Sequence, residues 1–516
     1  MPFKVLALAP FKPGGKNIEA HEPIRIGKEN FDQVLSDFGV SLYLSLPKDL
    51  CPSGGLTLSF QKIKDFHPDR LIEHVPFLKN ILEARNFVKE AKFMGLHEEE
   101  IYHHLNAWPD LPIEMKWEPH KTERDSATPI EDILKMVAMP EERSAPSVGI
   151  QPFSTQLDSL LQQILKHIFQ DESFRNLESL WRGLRFLVEQ GQIDGAITLE
   201  IVPVSYDTLE ETLNHLMVHL VEDLPSLTLL DLPLDNSPRN LDLLEKIALF
   251  SETLLVPTIG WITPNFLYLD TWQDIKKLAF LPHYLDEPVF AKWRHFKKTP
   301  SARWVTLTCN RFLVRYPYGP DNLPSSIHFE EPENLWVSPV WALGSLISQS
   351  LLRNGWPTRI TDWQNIRLAD LALHSVAENQ NSPTEVVFSE ERVSQFLKGG
   401  ILPLVSIVNK DIAFVPGEVT VAGSSLSYQL FLSRITQFLF WCKDNIGKDL
   451  DAVDIEKSLE KAFSLLWERT GHLSPRNLEI SVTRSKLEKP AIVRIVIEPS
   501  RQILPSGEKI ELELNW

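Results

Sequence analysis

Apolar positions along this chain follow two rhythms, one of period two and one of period three to four. Phe3–Leu8 is a largely apolar run of strand length. A Pro/Gly turn (Pro13, Gly14, Gly15) and a polar stretch separate it from Ser41–Leu46 and Leu56–Phe60, and in the latter Leu56, Leu58 and Phe60 alternate at the strand period. Beyond Asp65 the rhythm becomes helical, and Pro68 suits a first turn. Leu71, Val75, Leu78 and Leu82 form one stripe, with Phe77, Ile81, Ala84 and Val88 beside it. So wide an apolar face predicts one long helix buried on more than one side.

Helical spacing returns with Leu157, Leu160, Leu161, Ile164, Leu165 and Ile168, for which Ser154 is the expected N-cap. Leu177, Leu180, Trp181, Leu184, Leu187 and Val188 repeat the pattern. Strands and helices then alternate: Ile197–Val202 (strand), Leu209–Leu220 (helix), Leu227–Leu232 (strand), Leu241–Phe250 (helix) and Leu254–Trp261 (buried strand). This order predicts an α/β fold of mixed α+β character. Trp304–Val314 reads as strand, Trp336–Leu352 as helix, and Leu402–Val408 with Ile412–Val415 as a hairpin. Helices are expected near 425–445 and 453–469, and three strand-like runs close the chain, Leu478–Thr483, Ile492–Ile497 and Ile510–Leu514.

From about Trp117 to Gly149, Pro119, Pro129, Pro140 and Pro146 are mixed with charged residues and serines, as in a linker. One short amphipathic piece interrupts it (Ile130, Ile133, Leu134, Val137). The expected division is residues 1–116, a Pro-rich linker over 117–152, and 153–516. A length of 516 residues suggests roughly three domains.

With 52 basic and 69 acidic residues the net charge is −17, which argues against a chain that coats nucleic acid. Cys51, Cys309 and Cys442 are few, distant and odd in number, so neither a disulfide framework nor a structural zinc is expected. The first residues lack signal-peptide flanks, and no run approaches the ~18–20 apolar residues that span a bilayer. A soluble, cytoplasmic protein without membrane insertion is expected.

Motifs of chemistry are scarce. Gly14-Gly15-Lys16 is followed by Asn17 and lacks the upstream glycine of a phosphate-binding loop; G-x-G-x-x-G, G-x-S-x-G and H-E-x-x-H do not occur. His97, Glu98 and His103 have the wrong spacing for a zincin and read as polar surface. His215 and His219, at i and i+4, place two imidazoles on one helical face, with Glu222 or Asp223 as a third donor, but neighbouring Leu213, Leu216 and Leu220 look like core. Glu330-Glu331 and Glu390-Glu391 read as solvated surface. No catalytic, cofactor-binding or metal-ligating residue is therefore assigned.

Two sets of motifs are more specific. Asp65-Phe66-His67-Pro68-Asp69-Arg70, Val75-Pro76-Phe77-Leu78 and Leu82-Glu83-Ala84-Arg85, preceded by Pro23-Ile24-Arg25-Ile26 and Asn30-Phe31-Asp32-Gln33-Val34, resemble the small sheath subunit (TssB/VipA) of type VI secretion systems over about residues 1–110. Phe174-Arg175-Asn176-Leu177-Glu178-Ser179-Leu180-Trp181-Arg182-Gly183-Leu184 and Asn310-Arg311-Phe312-Leu313-Val314-Arg315-Tyr316-Pro317-Tyr318-Gly319 are similar to motifs of the large subunit (TssC/VipB). Phe329-Glu330-Glu331, Leu335-Trp336, Asn354-Gly355-Trp356 and Gly399-Gly400-Ile401-Leu402-Pro403-Leu404 follow in the family's order. The chain departs from that pattern in being a fusion, in offering only Leu230-Asp231-Leu232 for a "GDY"-like segment, and in having Cys309-Asn310 where Leu-Pro is usual.

The resemblance implies a non-enzymatic subunit of a contractile sheath: a helical homo-oligomer of stacked hexameric rings around an Hcp-like inner tube, seated on baseplate proteins and recycled in the family by a ClpV-type AAA+ ATPase. It implies no cofactor. Heterologous contacts would build the helix, and strands shared between subunits would link it, with Phe3–Leu8 and the three C-terminal strands as candidates. A related phage-tail-like injection particle, or a metal-dependent enzyme using His215 and His219, are the alternatives.

Overall fold

A computed structural model describes residues 2–12, 22–112, 150–221, 223–446, 450–470, 475–483 and 491–516. Strand β1 (Phe3–Ala9) lies inside a seven-stranded sheet whose other members are β2 (Ile24–Ile26), β5 (Ile197–Pro203), β6 (Leu227–Leu234), β7 (Thr258–Ile262), β8 (Val305–Cys309) and β13 (Ile401–Pro403), in the order β13-β8-β7-β6-β1-β5-β2. All pairings are parallel except that of β2 with β5. Phe3 to Ala9 pair with Ile197 to Pro203 on one side, and Val5 to Leu8 with Leu227 to Leu230 on the other.

The near-continuous apolar strands reflect a sheet covered on both faces. Phe3, Val5, Ala7 and Ala9 point into a first core, Leu6 and Leu8 into a second. On the first face lie α5 (Ile150–Gln170), α6 (Glu172–Gln190) and α9 (Pro339–Asn354). The N-terminal elements α1 (Phe31–Asp37), β3 (Ser41–Ser45), β4 (Gly55–Ser59), α2 (Pro68–His74), α3 (Pro76–Met94) and α4 (Glu98–Asn106) pack into that same core. On the second face lie α7 (Leu209–His219), α8 (Pro238–Leu254), short helical turns between 264 and 304, and part of α10 (Glu390–Gly399). A third core joins α11 (Leu426–Asn445) and α12 (Ala452–Arg469) to an antiparallel sheet of β16 (Asn477–Thr483), β17 (Ile492–Glu498) and β18 (Ile510–Asn515).

The expected α/β alternation is present, with several local corrections. The helix expected after Asp65 is two, because Val75 precedes Pro76 and is extended (φ −82°, ψ 114°). Helix α5 begins at Ile150, so Ser154 lies within it and is no N-cap. Leu254 ends α8 and Leu255 is left-handed (φ 55°), which delays β7 to Thr258. The Trp304–Val314 run breaks at Asn310 (φ 76°) into β8 and β9 (Phe312–Leu313). Trp336–Val337 is a short strand, β10, and the helix after it starts at Pro339 behind the N-cap Ser338, whose side chain accepts from Val340 N. Strands β11 (His374–Ala377) and β12 (Gln380–Ser382) form a small antiparallel pair of their own. Of the hairpin expected from 402 to 415, Ile401–Pro403 joins the large sheet; only β14 (Val405–Ser406) and β15 (Ala413–Phe414) pair with each other. The amphipathic piece at 130–137 and most of the Pro-rich stretch lie outside the described residues.

Candidate functional site at the meeting point of the sequence motifs

Helix α6 supplies the centre of the site. Asp171 caps it, its Oδ1 accepting from Phe174 N at 2.9 Å. Two turns on, Glu178 and Arg182 share a face at i,i+4, and the Arg182 Nε donates to Glu178 Oε1 at 2.6 Å. The Glu178 side chain is 0% exposed. Arg315, from the second large-subunit motif, donates from Nε to Glu178 Oε1 (3.1 Å) and from Nη2 to Oε2 (3.2 Å). Its Nη1 and Nη2 also reach Glu331 Oε2 (2.6 Å) and Oε1 (2.9 Å). Two carboxylates and two guanidiniums thus neutralise one another, the condition under which buried charge is tolerated. The Tyr318 ring lies 4.4 Å from the Arg315 guanidinium, and its OH accepts from Arg182 Nη2 at 3.3 Å.

The electrostatics follow from this geometry. Burial by itself would raise the Glu178 pKa, but Arg315 and then Arg182 outweigh it and hold the carboxyl below its ordinary range. Burial works against the charge on Arg315, yet Glu178 and Glu331 raise its pKa. Burial pushes Tyr318 up to about 12.

The N-terminal region closes the cluster from outside. The His67 ring meets Tyr318 edge-on at 5.0 Å and caps α2, its Nδ1 accepting from Asp69 N at 3.2 Å. Burial, reinforced by Arg182 and Arg315 against the opposing Asp69, lowers the His67 pKa, which favours the neutral ring. Asp69 accepts from Ser325 N (2.9 Å), Ser325 Oγ (2.7 Å) and Ser326 N (2.8 Å). These bonds overcome the effect of burial and keep its pKa low. Arg85 of α3 pairs with Asp158 of α5 at 2.6 Å and donates from Nη1 to Ser326 O at 2.7 Å.

Apolar contacts do the rest. Trp181 is fully buried against Phe11, Phe31 and Phe38 of the N-terminal region, at centroid distances of 5.5, 5.9 and 5.9 Å. Gly183 lets α6 touch α9: a Cβ there would sit 2.3 Å from Trp341 Cδ1. Trp341 and Trp261 donate their indole N–H groups to Asp231 Oδ2 (2.7 Å) and Oδ1 (2.8 Å). Burial raises the Asp231 pKa despite those bonds. Asp231, flagged in the sequence only as a departure, is thus the polar pivot between β6, β7 and α9.

Residues from every motif therefore have assignable work. Asp65, Phe66, His67, Pro68 and Asp69 form the entry to α2, with Phe66 stacked on Phe60 at 4.1 Å. Glu331, expected at the surface, has a side chain only 2% exposed that clamps Arg315; the Glu330 side chain is 67% exposed as expected. Asn310 has φ 76°, which a proline fixed near −65° could not adopt. Its side chain ties Val386 O and Leu404 O, both at 2.9 Å. Gly355 ends α9 left-handed, and Trp356 packs in the third core against Phe431 and Trp467 with its ring tilted to both. Nothing in the spacing along the chain signals the Glu178–Arg315–Glu331 cluster, because its members meet only in the folded molecule.

His215 and His219 lie face to face, ring centroids 4.1 Å apart, and among the described residues no group of three His, Cys, Asp or Glu side chains is placed to hold a metal ion. Glu222 lies outside the described residues. Cys51, Cys309 and Cys442 are free and buried. Of the candidate linking strands, Phe3–Leu8 is paired on both sides within its own chain, whereas β16 and β18 each pair only with β17 among the described residues. Among those residues no helix is long and apolar enough to cross a membrane.

Comparison with known proteins gives this arrangement a family. Residues 1–106 match the family model of VipA of type VI secretion systems, and residues 153–221 and 226–422 match that of VipB (EvpB/VC_A0108, tail sheath N-terminal domain). The type VI secretion system sheath protein TssC1 of Pseudomonas aeruginosa is 26% identical over 297 residues, 51% of this chain; the chain spans 60% of that relative's length. Among solved structures, a sheath tail protein from Listeria innocua is 11% identical (TM-score 0.33, 62% of this chain and 61% of that one). A contracted sheath complex of an extracellular contractile injection system is also 11% identical (TM-score 0.35, 65% and 76%), and both likenesses are too distant to bear on this chain. Matched by VipB over more than half its length and by VipA at its start, the chain belongs to the VipB tail-sheath family, with a VipA-like region fused ahead of the VipB-like one.

Proposed function

We propose that this chain is a single-chain subunit of a bacterial contractile sheath, in which one polypeptide does the work of the small and large subunits. The observation that carries this is the joint match to VipA and VipB on one chain. The shared first core and the His67–Tyr318 and Asp69–Ser325 contacts are what a unit that moves as one rigid body requires. The subunit would polymerise helically, as stacked hexameric rings, around an Hcp-like tube on a baseplate in the cytoplasm. It would need no cofactor and catalyse nothing, since stored energy would lie in the packing between subunits. The edges of β16 and β18, unpaired among the described residues, suit strand sharing between neighbours.

Negative-stain electron microscopy of the full chain, alone and co-expressed with an Hcp-like protein, tests this. Hollow striated tubes are expected in at least one condition. Discrete particles in both would overturn the proposal.

A further inference from the structure

On a chain with 69 acidic and 52 basic residues, one surface runs against the average. Between α11 and α12 is a groove of about 370 Å³ with an apolar floor that includes Phe438, Trp441 and Leu465. Its charged lining is Arg434, Lys461 and Arg469, and no carboxylate lines it among the described residues. A second depression, about 710 Å³, shares Arg434 and Arg469, adds Arg353, and again has no carboxylate lining among the described residues. Trp441 and Leu465 stand 48% and 47% exposed at the groove. Apolar side chains gathered in one concave, basic-rimmed groove suit an interaction surface better than scattered ones would.

The complementary feature is on the VipA-like region. Phe93 is 92% exposed, more than any other large apolar side chain among the described residues, and its neighbour Met94 is 74% exposed. The pair projects from the end of α3, just past Val88 and Ala91, which are buried in the first core. Gly95, left-handed at φ 71°, ends the helix there. The pair is therefore presented from a fixed base. Between residues 89 and 100 the sequence has four glutamates (Glu90, Glu98, Glu99, Glu100) against two lysines. Phe and Met are residue types enriched at the buried centre of interfaces, and a polar rim of opposite charge sets register and partner choice.

We propose that Phe93 and Met94 of one copy seat in the α11–α12 groove of a second copy, with Glu99 and Glu100 facing Lys461 and Arg469. The proposal rests on the self-assembly reading above. The knob belongs to the first core and the groove to the third, so the contact is heterologous and propagates without closing on a pair. It is a side-chain contact, separate from any strand sharing by β16 and β18.

The test uses the full chain carrying Phe93→Cys and Leu465→Cys with a short bismaleimide; the three native cysteines are buried. The double variant should give a ladder of dimer, trimer and higher species on a denaturing gel, and neither single variant should. Lys461→Glu with Arg469→Glu should cut the cross-linked fraction at least ten-fold, and adding Glu99→Lys with Glu100→Lys should restore it. Electron micrographs of the same samples separate the two readings. Tubes without a ladder overturn this contact and leave the sheath reading standing. Neither tubes nor ladder overturns both. A dimer from Phe93→Cys alone, or a cross-link only to a co-expressed tube protein, also overturns it.

Discussion

Replacing Glu178 by Gln keeps the shape of the side chain and removes its charge. The cluster would then hold two guanidiniums and one carboxylate in a place where Glu178, Glu331, Arg315 and Arg182 are 0, 2, 10 and 19% exposed. Breaking a buried ion pair by removing one partner costs about 3–5 kcal/mol. Arg315 keeps its two-pronged contact with Glu331, and Arg182 retains some access to water, so the lower end applies. The expected loss is about 3 kcal/mol at pH 7, read from urea unfolding followed by tryptophan fluorescence and circular dichroism. Acid gives a second reading. The folded-state pKa of Glu178 lies below the ordinary 4.5. Its contribution is therefore fully present above that value and disappears as pH falls through the lower, folded one. The gap between the native chain and Glu178→Gln should narrow on acidification below about pH 4.5. A loss under about 1 kcal/mol at pH 7, or a gap unchanged by acid, would refute the view that the cluster holds the motifs together.

Gly183→Ala should lower the melting temperature by an amount equivalent to about 1–3 kcal/mol, because the methyl group collides with Trp341; an unchanged near-ultraviolet melting curve would contradict the close α6–α9 crossing. Trp181→Ala should cost about 3–5 kcal/mol by leaving Phe11, Phe31 and Phe38 around a void, and a loss near zero in urea titration would show that the site collapses. Asp69→Ala removes three hydrogen bonds to Ser325 and Ser326. It should cost about 1–3 kcal/mol and speed limited proteolysis within 319–328, and equal cleavage rates would argue against the clamp.

The sequence by itself determined much of the local structure. The period-two pattern of Leu56, Leu58 and Phe60 and the stripes around Leu157 and Trp181 depend on neighbours within one or two turns, so one chain suffices to read them. The motifs also located the two regions, because their order along the chain survives without any structure. Even local rules were open to misreading, as at Val75-Pro76, where an unbroken apolar stripe hid a break. Only the tertiary structure decided where those elements go. Whether Phe3–Leu8 becomes an outer arm or an inner strand depends on partners roughly two hundred residues away, and its apolar composition suits either. Glu330 and Glu331 are identical as letters; one faces water while the other meets Arg315, because burial belongs to the packed molecule. The same holds for Asp231, whose carboxyl group accepts from two indoles 30 and 110 residues further along the chain. Ion pairing and desolvation act over a few ångströms in space, a distance that spacing along the chain does not encode.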